Sequence, residues 1–155
     1  MADCRLAMEI VAVNPGETLF VSGAIEDWAE IHRLRIDVVV DMDGGVDHGL
    51  PESPDAIFYV YHPIRDEDLP NLAKIEALGR LVADLVSAGH RVLVHCRMGF
   101  NRSALVIGTA LTYMGLSGRQ ALFDLRRRRP GSLFNEVFAA HLETLPPRRI
   151  SIETL

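Results

Sequence analysis

The chain of 155 residues contains little of what would define a secreted, zinc-binding or membrane-spanning protein. Only two cysteines occur, Cys4 and Cys96, and neither belongs to a CxxC motif, so neither a disulfide framework nor a structural zinc site is expected. No apolar run approaches the roughly 18 residues of a membrane-spanning helix. The first residues lack the basic start and apolar stretch of a secretory signal. We therefore expect a cytoplasmic protein.

Charge and composition narrow the class of protein further. The formal net charge is −5, with 24% charged and 48% hydrophobic residues, as in ordinary globular domains. A net negative charge argues against a domain that coats nucleic acid or an anionic membrane, so we expect neither as a stable partner. The length favours a single domain over residues 1–155 with its own hydrophobic core, and we expect a monomer.

Short apolar runs alternate along the chain with segments of helical periodicity. The apolar runs predict strands over residues 10–13, 19–22, 36–40, 58–62 and 91–94. The helical segments predict helices over residues 24–34, 71–88, 104–111 and 133–145, and another that begins at a capping box at Ser117. This alternation predicts an α/β fold of three layers, in which a mainly parallel central sheet of about five strands is flanked by helices.

The stretch HCRMGFNRS, residues 95–103, lies between the last predicted strand and a predicted buried helix. Ligands of parallel sheets bind beyond the carboxyl ends of the strands, which is where this loop is expected. A helix N-terminus presents unpaired backbone N–H groups and the positive end of the helix dipole, and both favour an anion. Six successive residues are candidates for binding a phosphate group through this loop: Arg97, Met98, Gly99, Phe100, Asn101 and Arg102.

Three residues of the loop have a chemical role that follows from their type. Gly99 permits the backbone conformation that such a ring of amides needs. Arg102 adds a permanently charged fork that can bind two phosphate oxygens at once. The positive field favours the thiolate form of Cys96, which is then a nucleophile placed beneath a bound phosphorus atom. The loop therefore predicts phosphoryl transfer.

The pattern His95-Cys96-x5-Arg102-Ser103 resembles the signature loop of the cysteine-dependent protein tyrosine phosphatase superfamily, and HCRMGFNRS most resembles its compact dual-specificity branch. The segments LFVSGAIEDW, YHPIRDEDLPNL and SGRQALFDLRRRRPGSLFNEVFAAHL also resemble family segments, so the likeness covers nearly the whole chain. The resemblance implies a phosphatase for phosphotyrosine, with or without phosphoserine and phosphothreonine. It also implies a phosphocysteine intermediate, and neither metal nor other cofactor.

The resemblance implies roles for further side chains. The family places a general acid on a mobile loop after a strand that ends in a Pro-apolar pair, which fits Asp66, with Asp68 as the alternative because loop lengths vary. Ser103 is expected to donate a hydrogen bond to the Cys96 sulfur and to help it leave in the second step. His95 is expected to orient the loop and to support the thiolate.

Other functions remain open from the sequence. GFNR also resembles the loop of RNA 5′-triphosphatases in the same superfamily, which makes that reaction the main alternative. A phosphoinositide substrate has less support, because Phe100 stands where that branch favours lysine. A rhodanese-like sulfurtransferase fits the loop length and Ser103 less well. A phosphate-binding module without catalysis is disfavoured by the presence of Cys96 and Asp66.

Two charged segments are interpreted without a catalytic role. The acidic residues between Asp41 and Asp47, with Glu52 beyond them, superficially resemble a calcium-binding loop, but the glycine is misplaced and a strand precedes the segment. The run Arg126–Arg129 is interpreted as the basic end of a helix, with a docking patch for acidic partners as the alternative.

Overall fold

The computed structural model describes residues 9–148, in which five strands and five helices alternate along much of the chain. The strands are β1 (Val11–Ala12), β2 (Leu19–Ser22), β3 (Val38–Asp41), β4 (Phe58–Tyr61) and β5 (Val92–His95). The helices are α1 (Trp28–Arg33), α2 (Leu72–Ser87), α3 (Arg102–Tyr113), α4 (Gly118–Arg128) and α5 (Glu136–Glu143).

The strands form one mostly parallel sheet in the order β1-β2-β5-β3-β4, with β1 antiparallel to β2 at the edge. The register aligns the carboxyl ends of the parallel strands, so Ser22 and Asp41 both lie opposite His95, and Asp41 lies opposite Tyr61. The last residues of four strands therefore lie side by side at the carboxyl end of the sheet. Ligands of parallel sheets bind at this end, where the sequence predicts the site.

Successive residues of the central strands point to opposite faces of the sheet, and each face carries its own hydrophobic cluster. Val92 and Val94 of β5 contribute to the larger cluster, together with residues of α2, α3, α4 and α5. Leu93 contributes to the smaller cluster, which includes Ile31 of α1. The two clusters confirm the three-layer α/β architecture. Within residues 9–148, no helix has both the length and the apolarity to cross a membrane.

Helix α3 is buried along nearly its whole length, which explains why its sequence is apolar on every side. All residues from 103 to 112 are buried. It packs against α2, where the Cβ of any other residue at Gly79 would lie 2.5 Å from Thr109 Cγ2. Because such tight packing fixes the position of α3, the loop before it begins from a firmly held helix end.

Helix α1 is shorter than predicted and begins at Trp28 instead of residue 24. Asp27 has extended backbone and its side chain accepts a hydrogen bond from the Ala29 N–H at 2.8 Å, which places the N-cap there. The preceding residues are in a loop, in which the Ala24 N–H donates to the Arg97 carbonyl at 3.0 Å. The apolar spacing misled the prediction because Ile25 packs against the smaller cluster from this loop.

Helix α5 is also shorter than the predicted 133–145, since it runs from Glu136 to Glu143. Leu133 has a φ of 58°, outside the helical range, and its N–H donates to the Phe100 carbonyl at 2.7 Å. Asn135 caps the helix by accepting hydrogen bonds from two backbone N–H groups. Leu133 is therefore buried without forming part of the helix, whereas Phe134, directly before the cap, is exposed. The capping box at Ser117 is confirmed.

Candidate active site

The loop between β5 and α3 has the geometry that an anion-binding loop requires. Asn101 is the N-cap residue of α3, and its side chain makes no capping hydrogen bond. The first N–H groups of this helix of 12 residues are therefore not bound by their usual side-chain partner. At the other end of the loop, Cys96 directly follows the buried strand β5. The structure thus places the sulfur atom close to a helix N-terminus, as predicted.

Gly99 is required by both the conformation and the packing of this loop. Its φ is 75°, and a Cβ atom there would lie 2.6 Å from the backbone carbon and oxygen of Ser22. Its N–H donates to the Cys96 sulfur at 3.2 Å. The predicted role of Gly99 in shaping the loop therefore agrees with the geometry, and the loop sits directly against the end of β2.

The Cys96 sulfur lies in a polar setting although its residue is only 2% exposed. The Ser103 hydroxyl is 3.3 Å from Sγ, and the Gly99 N–H approaches the same atom. Both groups can donate hydrogen bonds to a thiolate. Cys4, considered earlier as the other cysteine, lies outside the described residues.

Arg129 shapes the same loop from its outer side, a contact that the sequence analysis did not predict. Its guanidinium donates to the carbonyls of Gly99 at 2.8 Å and Met98 at 2.9 Å, and it stacks over the Phe100 ring at 4.5 Å. The Met98 carbonyl and the Gly99 N–H belong to the same peptide group. Since Arg129 binds that carbonyl while the N–H points to Cys96, the arginine fixes which side of the peptide faces the sulfur. The predicted basic helix end is confirmed, since α4 has three basic residues in its last turn and Arg129 as its C-cap residue, and the Arg129 side chain additionally binds the loop.

Arg102 is the first residue of α3, and its guanidinium is bound at one end by an acidic side chain. One terminal nitrogen, Nη1, donates to Asp43 Oδ1 at 3.1 Å and lies 3.4 Å from the Ile64 carbonyl. The Nε atom is buried and has no hydrogen-bond partner among residues 9–148. A buried donor of this kind fits an oxygen of a bound phosphate. Asp43 therefore holds one end of the fork and leaves the Nε–H for an anion.

His95 is buried beneath the loop among acidic side chains. Its Nε2 lies 2.7 Å from Asp47 Oδ2 and 3.6 Å from Asp41 Oδ1. The Tyr59 hydroxyl donates to Asp41 Oδ2, and Asp47 Oδ2 lies 3.3 Å from the same hydroxyl oxygen. The nitrogen and carboxylate oxygens lie within 4.8 Å of one another, close enough to ligate an ion, but their hydrogen bonds to each other account for the cluster without one.

The buried acids change the protonation of this cluster. Burial alone lowers the pKa of His95, but the hydrogen bond and charge of Asp47, followed by the charge of Asp41, outweigh it and raise the pKa above its usual value. Burial has the opposite effect on Asp41 and raises the pKa of its carboxyl, although the hydrogen bond from Tyr59 opposes this rise. A cationic His95 is therefore favoured immediately before Cys96, consistent with the predicted supporting role.

Asp66 reaches the phosphate-binding loop through two amide side chains. Asn101 Nδ2 donates to one carboxylate oxygen and Asn135 Nδ2 to the other, both at 2.9 Å. Within residues 9–148, the Asp68 side chain makes no hydrogen bond or ion pair, and the residue is exposed. Of the two candidates for the general acid, Asp66 is the one that hydrogen bonds connect to the loop.

Several residues that complete this site were not predicted as members of it. Asp41, Asp43 and Asp47 belong to the segment that the sequence analysis compared with a calcium loop, and they instead bind His95 and Arg102. The strand pairing offers a signal for one of them, because Asp41 ends a strand next to the one that ends in His95. Two further residues come from distant parts of the chain and carry no local signal: Asn135 and Arg129.

Comparison with known proteins places this architecture in a family. The family model of the dual specificity phosphatase catalytic domain matches residues 21–145. Protein phosphatase Slingshot homolog 3 of Rattus norvegicus is 32% identical over 119 residues, which cover 74% of this chain. That match covers 18% of the Slingshot protein, so this chain corresponds to a small part of its curated relative.

Solved structures agree with this assignment. Human DUSP28 superposes with a TM-score of 0.73 at 25% identity, covering 86% of this chain and 90% of that one. The active form of Tk-PTP superposes with a TM-score of 0.68 at 27% identity, covering 86% of this chain and 95% of that one. Both alignments span most of this chain and most of the solved structure with which it is compared.

Proposed function

Because this chain belongs to the dual specificity phosphatase family, we propose that it hydrolyses phosphate esters on proteins through a phosphocysteine at Cys96. Phosphotyrosine, together with phosphoserine and phosphothreonine, is the proposed substrate class. The observation that carries the proposal is the position of the Cys96 sulfur. It accepts a hydrogen bond from the Gly99 N–H at 3.2 Å and lies 3.3 Å from the Ser103 hydroxyl. The sulfur follows a strand and precedes a helix N-terminus that can bind a phosphate group.

In the first step, the Cys96 thiolate attacks the phosphorus atom and forms the S–P bond. The bond between phosphorus and the ester oxygen breaks, and Asp66 gives its proton to that oxygen as it leaves. Backbone N–H groups of residues 97–102 and the Arg102 Nε–H bind the equatorial oxygens, where charge must be stabilised. The buried setting of the sulfur excludes competing water from behind the nucleophile.

In the second step, water attacks the phosphorus atom and the Asp66 carboxylate accepts its proton. The S–P bond breaks, inorganic phosphate is released, and the electron pair returns to the sulfur as a thiolate. The Ser103 hydroxyl can donate to that developing negative charge, because it lies within hydrogen-bond distance of Sγ. His95, held by Asp47 at 2.7 Å, lies directly before the same residue and can carry positive charge there when it is protonated.

The family match favours this reaction over the alternatives that the sequence left open. The RNA 5′-triphosphatase, the rhodanese-like sulfurtransferase and the non-catalytic phosphate-binding module all have less support, since the matching family model is that of a dual specificity phosphatase and the curated relative is a protein phosphatase. The cytoplasmic location, the monomeric state and the extent of the domain over residues 1–155 stay predictions.

An activity panel in the presence of a chelator tests the proposal. It compares phosphotyrosine and phosphothreonine peptides, a phosphoinositide and 5′-triphosphorylated RNA, with Cys96→Ser as the matched inactive control. We expect release of phosphate from the peptides and none from the Cys96→Ser protein. Preferential cleavage of the triphosphorylated RNA, or activity that survives Cys96→Ser, would contradict the proposal.

A further inference from the structure

The Asp66 carboxyl is held in place by side chains of two other elements. Asn101 Nδ2 donates to Oδ2 and Asn135 Nδ2 donates to Oδ1, each at 2.9 Å. Asn135 Nδ2 also lies 3.1 Å from the Glu67 carbonyl, so it binds the loop backbone as well as the carboxyl. Both oxygens of Asp66 are therefore fixed by donors outside its own loop.

These contacts matter because the Asp66 loop has little else to fix its end. Residues 65–69 are exposed and lie between β4 and α2, outside any helix or strand. The Ile64 N–H donates to the Met42 carbonyl at 3.2 Å, two residues before the acid. An exposed loop without buried side chains has a low energetic cost of local movement. The orientation of the carboxyl therefore depends on the two amides.

Asn101 is used here for binding the acid and not for capping a helix. Asparagine is a preferred N-cap residue, and Asn101 occupies the N-cap position of α3, yet its side chain makes no capping hydrogen bond. Its Nδ2 donates to Asp66 and its Oδ1 accepts from the Asn135 N–H at 3.0 Å. The residue is only 2% exposed, so both ends of the amide are bound in a buried position next to the phosphate-binding loop.

Asn135 joins three parts of the molecule through a single side chain and its own backbone. Its Oδ1 caps α5 by accepting from the Val137 and Phe138 N–H groups at 3.1 and 3.2 Å. Its N–H binds Asn101 and its Nδ2 binds Asp66, so the acid is tied to the start of α5 and to the phosphate-binding loop together. The separation from Asp66 is 69 residues along the chain.

We propose that Asn101 and Asn135 are positioning residues that hold the Asp66 carboxyl over the phosphate-binding loop, ready to give its proton to the leaving oxygen. This inference rests on the proposed function, in which Asp66 is the general acid. It extends that function because neither amide touches the reacting atoms, and each acts through Asp66. A carboxyl that is held near the leaving oxygen gains rate through orientation, which is lost when the loop is free to move.

Substitution of Asn135 separates its capping of α5 from its hydrogen bond to Asp66. Asn135→Ser keeps an oxygen that can cap α5 but removes the amide that binds Asp66. We expect kcat for a phosphotyrosine peptide to fall about tenfold, the effect of losing one hydrogen bond that orients the acid, with KM unchanged. On 4-nitrophenyl phosphate, whose leaving group is stable as an anion, the fall should be less than about twofold, because that oxygen needs little protonation.

The double variant Asn135→Ser/Asp66→Asn distinguishes positioning from a general structural role. If Asn135 acts through Asp66, the serine should cause no further loss of phosphotyrosine turnover once the carboxyl is gone. A further tenfold loss in the double variant, an equal loss on both substrates, or no loss in the single variant would overturn the inference. The same non-additivity is expected for Asn101→Ser.

Asn71→Ser is the matched control for the loss of a capping asparagine. Asn71 caps α2 by accepting from the Lys74 N–H at 3.1 Å, and the described structure gives it no bond to Asp66. We expect unchanged kcat on both substrates. Asn135→Asp is a second test if the serine variant is unstable, because it keeps the cap oxygens, loses the donor and adds repulsion of Asp66. It should lower phosphotyrosine turnover more than serine does, and an unchanged rate would overturn the inference.

The result for Asp66→Asn separates the failure of this inference from that of the proposed function. If Asp66→Asn lowers turnover of both substrates equally, Asp66 is not the general acid and the positioning role falls with that assignment, while hydrolysis through Cys96 is decided separately by the activity panel with Cys96→Ser. If Asp66→Asn selectively lowers phosphotyrosine turnover but the Asn135 variants do not, the proposed function stands and the positioning role alone is wrong.

Discussion

The nucleophile half and the acid half of this site are built in different ways. Cys96 and Ser103 are buried at the ends of a core strand and a core helix, and Arg129 binds the loop between them through its backbone carbonyls. Asp66 lies on an exposed loop and is held by the side-chain amides of Asn101 and Asn135. The nucleophile half therefore depends on packing and backbone geometry, whereas the acid half depends on a few polar contacts.

This difference predicts how each half responds to substitution. A change in the loop around Cys96 disturbs packed backbone, so it should affect both stability and rate. A change in the Asp66 loop disturbs side-chain hydrogen bonds of an exposed loop, so it should affect the rate and leave stability nearly unchanged. The two halves also differ in their dependence on the substrate, because the acid matters only in proportion to the protonation that the leaving group needs.

Cys96→Ser should have the largest effect, because it removes the nucleophile and preserves the rest of the nucleophile half. We expect no measurable turnover of any substrate, together with binding of tungstate close to that of the wild type, since the loop amides and Arg102 remain. Steady-state assays and calorimetric titration measure the two quantities. Residual turnover well above background would contradict the thiolate mechanism.

Gly99→Ala tests whether the nucleophile half depends on backbone geometry. The added Cβ would lie 2.6 Å from the Ser22 backbone at a φ of 75°. We expect kcat/KM to fall about a thousandfold through displaced amides, and the free energy of unfolding to fall by about 2 kcal/mol. Gly16→Ala is the matched control, since its added Cβ would approach nothing closer than 3.6 Å. For that control, we expect an unchanged free energy of unfolding by chemical denaturation and an unchanged kcat/KM.

Asp66→Asn tests the acid half by its dependence on the leaving group. We expect phosphotyrosine turnover to fall about a hundredfold, with a much smaller change on 4-nitrophenyl phosphate and almost none in Tm. Asp68→Asn is the control two residues away and should lower the turnover of both substrates only slightly. If Asp68→Asn shows the steep dependence and Asp66→Asn does not, the general acid is assigned to the wrong residue.

Asp47→Asn should have the smallest effect and a dependence on pH. The pKa of His95 is raised in the folded protein, so the stabilisation from its charge is complete below the unfolded pKa and is lost as pH rises through the folded pKa. The substitution should therefore lower Tm by a few degrees more at about pH 6 than at about pH 9. Equal shifts at both pH values would show that His95 does not carry the charge.

The exposed pair of Asp37 and His90 is the control for this measurement. Its atoms are 2.8 Å apart, but both side chains are more than two-fifths exposed, at 46% and 44%. Solvent screens such pairs, so Asp37→Asn should show little difference in its Tm shift between the two pH values. A pH dependence as large as that of Asp47→Asn would mean that burial of the His95 cluster is unimportant.

The sequence predicts the nucleophile half well because its parts are adjacent along the chain. A strand, a loop of fixed length and a buried helix determine where Cys96, Gly99 and Arg102 lie, and the family resemblance agrees with that placement. The acid half is predicted only to a choice between Asp66 and Asp68, because the contacts that distinguish them come from side chains far along the chain.

The contacts were not predicted for one shared reason: they form between segments that are far apart in the sequence. Asp47 is 48 residues from His95, and its local pattern of acids and glycines resembles a metal-binding loop more than a histidine partner. Arg129 stands in a run of four arginines whose members look equivalent in sequence. The early start predicted for α1 has a related origin, because Ile25 is apolar for packing from a loop and not for helix formation.

The phosphocysteine itself is tested most directly by trapping it in Ser103→Ala. The Ser103 hydroxyl lies 3.3 Å from Sγ, so its removal should slow departure of the sulfur in the second step more than attack in the first. The variant is mixed with 4-nitrophenyl phosphate, quenched rapidly in denaturant, and analysed by peptide mass spectrometry. Our account predicts a burst of nitrophenol and phosphate on Cys96, both absent from Cys96→Ser. Phosphate on another residue, or turnover without any phosphoenzyme, would contradict it.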